Sequence, residues 1–211
     1  MASSRPFVLS VNIGPIEVVE HHGRRIRTGI FKKPASGRVA VRGVNLDGDD
    51  QADRDNHGGP DRAVYAYAAE DLAWWEAELA HVLSPGTMGE NLTTSQIDVT
   101  DALIGERWRA GSAVFEVSAP RVPCFKLGIR MGDPRFPLRF ARAGRPGAYL
   151  RIVQAGDVGA GDPIEQLSRP DHEVTVGLVA RAFHDDHSLA PRWLDAPGLG
   201  GGWREWAERH A

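Results

Sequence analysis

A mainly β fold, in the form of a β-barrel or a β-sandwich, is what this sequence predicts, and three observations carry it. Short apolar or alternating segments recur through residues 1–168. Glycine and proline punctuate them at turn spacing. Only one stretch has the length and periodicity of a long helix, so strands are not alternating with helices in βαβ fashion.

Taken in order, FVLSVNI (7–13), RVAVRGV (38–44), AVYAYA (63–68), AVFEVS (113–118) and YLRIV (149–153) read as strands. Gly37, Gly43, Gly105, Gly111, Gly156 and Gly161 fall where turns are needed. The stretch AAEDLAWWEAELAHVL (68–83) predicts the long helix, with Leu72, Trp75 and Leu79 on one face and acids early. FKLGIR, just after the lone cysteine, predicts the start of a short helix. Composition shifts near SRPDHE (168–173), and three short helices are expected after it, at about 175–184, 189–195 and 203–210. Thr175 and Ser188 are expected to cap the first two, and APGLGGG separates the last two. Two units follow: a β domain over 1–168 and a three-helix extension over 169–211.

Composition narrows the function classes. The net charge is −3, so no global basic field draws nucleic acid or an anionic membrane. The helical tail is itself acidic, which argues against a helix-turn-helix reader of DNA phosphates. His184 and His187 stand at helical spacing in it, but without a clear third ligand they read as a solvated face. No apolar run reaches the roughly 20 residues of a membrane span, and the N-terminus lacks the pattern of a signal peptide. A cytoplasmic protein is expected. The single cysteine, Cys124, excludes an intrachain disulfide, a four-cysteine iron–sulfur cluster and a zinc site built on CxxC pairs.

Four stretches can carry chemistry. NLDGDDQADRDNHGGPDRAVY (45–65) is rich in aspartate but fails the EF-hand pattern, with Ala52 where glycine and Gly58 where glutamate are required. Its end, HGGPDR, leads straight into a strand and holds His57, Asp61 and Arg62 beside it, as a binding loop or a structural turn. GTMGENLTT (86–94) offers Glu90 and Asn91 after two glycines, again as a site or a capped turn, and is no phosphate loop. TGIFKKP (28–34) places Lys32 and Lys33 before a proline, as a solubilising surface or an anion site. PRVPCFKL (120–127) puts the thiol at a strand end, before a short helix, with Arg121 and Lys126 close in sequence. Positive charge and backbone dipoles favour thiolate, which is both a nucleophile and a soft metal ligand. The other reading is a small buried hydrophobe.

Together LDGDDQAD…HGGPDRAVYAY, GENLTT, IGERWRAGSAVFEVSAPRVPCFKL and DVGAGD resemble the MOSC domain, named for the C-terminal domain of molybdenum-cofactor sulfurase. The similarity is to its stand-alone hydroxylaminopurine-resistance branch and covers about residues 7–167, with the helical tail similar to that branch's extension. The resemblance implies a MOSC-type β-barrel whose cleft holds a molybdopterin-type molybdenum cofactor, with Cys124 as the metal ligand. It places Lys33, His57, Asp61, Arg62, Glu90, Asn91 and Arg121 in or near the cofactor cleft, with Lys33 and Arg62 or Arg121 facing the phosphate. Glu90 or His57 would give the proton. It further implies reduction of N-hydroxylated small molecules, hydroxylaminopurine-type bases included, to amines, with electrons from a separate flavin or iron–sulfur reductase. A non-catalytic cofactor carrier or sulfur-handling module shares the same motifs, and a metal-independent thiol enzyme would share the cysteine alone.

Overall fold

Strand β7 (Val64–Ala68) shows why the sheet forms where it does: all five of its residues are buried, on two different sides. Val64, Ala66 and Ala68 join the larger apolar core, and Tyr65 and Tyr67 join a second one. Period-two alternation therefore sends small and branched residues one way and tyrosines the other, as a strand covered on both faces requires. The structure, a computed structural model, describes residues 5–52 and 58–210.

Around β7 run β1 (Phe7–Ile13), β2 (Glu17–His21), β3 (Arg24–Thr28), β4 (Lys33–Pro34), β5 (Val39–Arg42) and β6 (Asn45–Leu46) before it. After it come α1 (Ala69–Leu79), β8 (Leu92–Ser95), β9 (Arg107–Ala110), β10 (Ala113–Pro120), α2 (Phe125–Met131) and α3 (Phe136–Arg142). Then follow β11 (Ala148–Gln154), β12 (Gly156–Val158), β13 (Ile164–Ser168), α4 (Val176–His184), a 3-10 segment (His187–Asp195) and α5 (Gly201–His210). The chain is mainly β, as expected.

Eight strands form one sheet in the order β13-β9-β10-β11-β7-β8-β1-β4, with β12-β5-β6 and the β2-β3 hairpin as smaller sheets. The large sheet curls until β1 meets the start of β13. There Phe7 and Pro163 form an isolated antiparallel bridge, and Val8 N–H donates to Asp162 O at 2.9 Å. Gly161 N–H to Val8 O and Ile164 N–H to Pro6 O, both 2.8 Å, flank it. The pair β7–β8 is parallel and is joined through α1, a single βαβ crossover inside an otherwise antiparallel sheet. The helix α1 stops short of the expected residue 83, because Ala80 turns left-handed (φ 56°) and Glu76 Oε1 accepts from Leu83 N–H at 2.7 Å.

Helices α1, α2 and α3 cover the tyrosine face of β7, where Trp75, Leu127, Phe136 and Phe140 form the second core. The sequence reading missed α3 altogether. Its signal was Phe136 and Phe140, four apart, masked by Pro137 in its first turn. In the tail, Thr175 caps α4, accepting from Leu178 N–H at 3.0 Å. The next segment is capped by Asp186, not by the expected Ser188; Ser188 instead donates to Asp186 Oδ1 through both N–H (3.1 Å) and hydroxyl (2.6 Å). The longer-reaching carboxylate wins the cap. Trp193, Trp203 and Ala207 bury themselves in the same core as the sheet.

Gly156 opens β12 and takes no positive φ, whereas Gly37, Gly43, Gly105, Gly111 and Gly161 do, as turns demand. Gly147, at the entry to β11, has φ 63°, and a Cβ there would lie 2.6 Å from the Ala66 carbonyl oxygen. Gly144 has nearly the same φ, 65°, but open space around it. Gly144→Ala is expected to cost about 1 kcal/mol of unfolding free energy for backbone strain alone. Gly147→Ala should cost at least about 2 kcal/mol more by urea denaturation, because backbone cannot yield as a side chain does.

Candidate functional site

Four loops converge on one carboxylate. Asp49, which follows β6, accepts from the Lys32 ammonium, from Asn91 Nδ2 at 2.9 Å and from Gly14 N–H at 3.1 Å. Both side chains of the Lys32–Asp49 pair are buried. Burial pulls the Lys32 ammonium below its ordinary range, opposed by the Asp49 charge. Asn91 is fixed in turn: its Oδ1 accepts from Tyr65 N–H at 3.0 Å, so the start of β7 and the start of β8 share one amide.

The loop 86–91 needs its glycines. At Gly86 (φ 86°) a Cβ would sit 2.8 Å from the Lys32 carbonyl, and at Gly89 (φ 79°) 2.8 Å from Ile30. This packing brings Glu90 fully inside. Its Oε1 accepts from Gly86 N–H at 2.6 Å and Thr93 Oγ1 at 2.9 Å, while Oε2 has no hydrogen-bond partner among the described residues. Burial raises the Glu90 carboxyl above its ordinary value, and the orphaned oxygen fits a carboxyl that keeps its proton. Arg121, equally buried, donates to the Met88 carbonyl and lies 4.9 Å over the Tyr65 ring.

Cys124 sits at the N-cap of α2 in extended backbone (φ −125°, ψ 173°), half-buried, where the two prolines deliver it. Two cavities meet at this residue. One is polar, about 120 Å³, and is lined by Lys32, Asp49, Asp50, Gln51, Asn91, Arg121 and Lys126 among others. The other is apolar, about 330 Å³, and is walled by prolines and aromatic rings. Arg62, Val122, Cys124 and Tyr149 line both.

Of the residues singled out in the sequence, Arg62, Asn91, Arg121 and Cys124 come together on the polar cavity. Lys33 does not: it is exposed on β4, and its neighbour Lys32 lines the cavity instead. Glu90 lies behind the wall, lining neither cavity. Asp61 faces away, accepting from Arg151 Nε at 2.5 Å, while Arg151 also reaches Glu116 Oε1 (2.8 Å) and Gly198 O (2.7 Å). His57 lies outside the described residues. The turn after it is held by Gln51, which accepts from Gly59 N–H at 2.7 Å and donates to Arg62 O at 3.2 Å. Asp49, Tyr65 and Tyr149 were missed as site residues, while Lys32, named with Lys33 as an anion-site candidate, is the lysine of the KKP run that lines the cavity.

The donor set suits a sulfur-ligated metal group bearing a phosphate. Four cations (Lys32, Arg62, Arg121, Lys126) outnumber the acids Asp49 and Asp50, and a thiol stands on the same wall. Small-molecule sites take roughly 300 Å³ or more, so the polar cavity, at about 120 Å³, has room for part of a pterin and not the whole. Among the described residues no helix is long and apolar enough to cross a membrane, and no three-residue cluster of metal-binding side chains is found.

Residues 53–165 match the MOSC domain family. The uncharacterized protein YflK of Bacillus subtilis is 39% identical over 207 residues, spanning 97% of this chain and 94% of its own. A protein of Gibberella moniliformis named a reductase is 36% identical over 165 residues, which is 76% of this chain and 29% of that longer one. The crystal structure of YiiM from Geobacillus stearothermophilus superposes with a TM-score of 0.79 at 27% identity, covering 97% of this chain and 98% of that one.

The Glu90 proton has a signature in stability. A carboxyl raised in the folded state binds its proton more tightly than in the unfolded chain. Its contribution is complete below the ordinary value near 4.5 and is lost as pH rises toward the raised folded value. The wild-type urea midpoint should therefore fall, relative to Glu90→Gln, as pH rises from 4.5 to 8. Parallel curves for the two proteins would mean that Glu90 folds ionised.

Proposed function

Because the chain belongs to the MOSC domain family, we propose that it is a molybdenum-cofactor-dependent oxidoreductase that reduces N-hydroxylated compounds, hydroxylaminopurine-type bases among them, to amines. The observation that carries this reading is the position of Cys124, on the wall shared by a cationic cavity and an apolar one. The similarity to a protein named a reductase supports it.

The reaction, R–NHOH + 2e⁻ + 2H⁺ → R–NH₂ + H₂O, needs a source of two electrons, and molybdenum in its pterin would supply that chemistry when bound. The chain supplies the rest. Cys124 Sγ would hold the metal from the protein side, facing both cavities. Arg121, anchored by Met88 O and the Tyr65 ring, would hold the phosphate in fixed orientation, with Lys32 and Lys126 beside it. Asn91 would orient the ring system through an amide whose position Asp49 and Tyr65 already fix. Glu90 lines neither cavity, so we assign it to holding the 86–91 loop instead of handing a proton to substrate. With one cysteine in the chain, electrons come from a separate flavin or iron–sulfur donor.

Protein purified from a host that makes the cofactor should contain molybdenum and pterin, and should reduce hydroxylaminopurine with a viologen donor. Cys124→Ala should lose bound molybdenum and at least about a hundredfold in kcat/KM, as expected for a group touching the reacting centre. Metal-free wild-type protein, or a Cys124→Ala variant that reduces normally, would overturn the proposal. Bound cofactor with no reduction by any donor would select the carrier reading instead.

A further inference from the structure

The apolar cavity is built by two parts of the chain that lie far apart in sequence. From the sheet side come Pro120, Pro123, Cys124 and Tyr149; from α4 and α5 come Phe183, Trp203 and Trp206. These aromatic side chains are held before any ligand arrives. Phe183 meets Trp203 edge-on at 5.2 Å and Trp206 at 5.2 Å, and Trp206 is itself stacked on Trp193 at 4.9 Å and His210 at 4.0 Å. At about 330 Å³ the cavity has the size of a single small-molecule site. Among the described residues its one charged wall group is Arg62, on the border with the polar cavity.

We propose that this cavity is the substrate chamber, and that the C-terminal helices select planar aromatic or heteroaromatic N-hydroxyl compounds through Phe183, Trp203 and Trp206. A ring seated among Tyr149, Phe183 and the tryptophans presents its substituent at Cys124, the point where the cavities join. Aromatic walls favour flat π-systems over saturated rings of equal size, beyond what apolar area alone supplies. Prolines on the opposite side keep the wall stiff. The inference rests on the reading of Cys124 as the reaction centre, and it deepens that reading by assigning specificity to the extension. Phe183 and Trp206 are specificity residues here, both half-buried, so shortening them spares the deepest packing.

Two arms test it. In holoenzyme, the ratio of kcat/KM for phenylhydroxylamine over N-cyclohexylhydroxylamine is measured in wild type, Phe183→Leu and Trp206→Leu. The ratio should fall about tenfold in each variant; a fall of less than about threefold overturns the proposal. In protein as purified, calorimetric affinity for 6-hydroxylaminopurine should fall about tenfold in the same variants, with thermal unfolding confirming that they fold. Binding that the variants leave unchanged overturns the chamber, even where reduction itself is confirmed. Binding that they weaken supports it, even where no N-hydroxyl compound is reduced and the proposed activity fails.

Discussion

The Asp49 carboxylate, buried among Lys32, Asn91 and the Gly14 N–H, is where the loops at one end of the sheet are tied together. A buried charge is tolerable only when its partners are all in place, and removing one partner of such a pair costs about 3–5 kcal/mol. That penalty makes the arrangement all-or-none. The segments after β1, β3 and β6 and the start of β8 must arrive together, or a charge is stranded in a low-dielectric interior. A second polar chain runs behind it, from Ser10 through Asn12 and Thr93 to Glu90 and Gly86 N–H, with links of 2.6–2.9 Å. Between these two networks the floor of the polar cavity has little freedom, and Arg121 is carried on it.

Such rigidity suits a site in which the protein orients a group that performs the electron chemistry. Beyond Asp49, Gln51 ties the next turn down, accepting from Gly59 N–H at 2.7 Å and donating to Arg62 O at 3.2 Å and Val44 O at 3.0 Å. The apolar chamber on the other side of Cys124 is completed only by the helical extension, whose tryptophans also fill the common core. The extension therefore packs the core and lines the cavity at once: Trp193 lies in the core, Phe183 and Trp206 on the cavity wall, and Trp203 in both.

Much of this was legible in the sequence because it depends on local rules. Period-two alternation marked β1 over Phe7–Ile13 to the residue, and Thr175 announced α4 as a capping side chain. The prolines around Cys124 marked a stiff, extended approach to a short helix, which is where the thiol stands. What escaped were features that depend on long-range register. Lys32 precedes and Lys33 opens the two-residue strand β4, and nothing local says which of them faces inward, since one step exchanges the faces. Tyr65 and Tyr149 looked like ordinary strand residues, and only the pairing of β7 with β11 brings them together, 5.3 Å apart. Asp61 looked like a site residue by its motif, but Arg151, ninety positions away, claims it.

The central claim is that Cys124 Sγ bonds to molybdenum at the junction of the two cavities. X-ray absorption at the molybdenum edge, on wild type and Cys124→Ser loaded with cofactor, measures this directly. A Cys124 ligand predicts that the wild-type metal shell holds one more sulfur neighbour than the variant's. Identical sulfur shells in the two proteins, at equal molybdenum content, would contradict it.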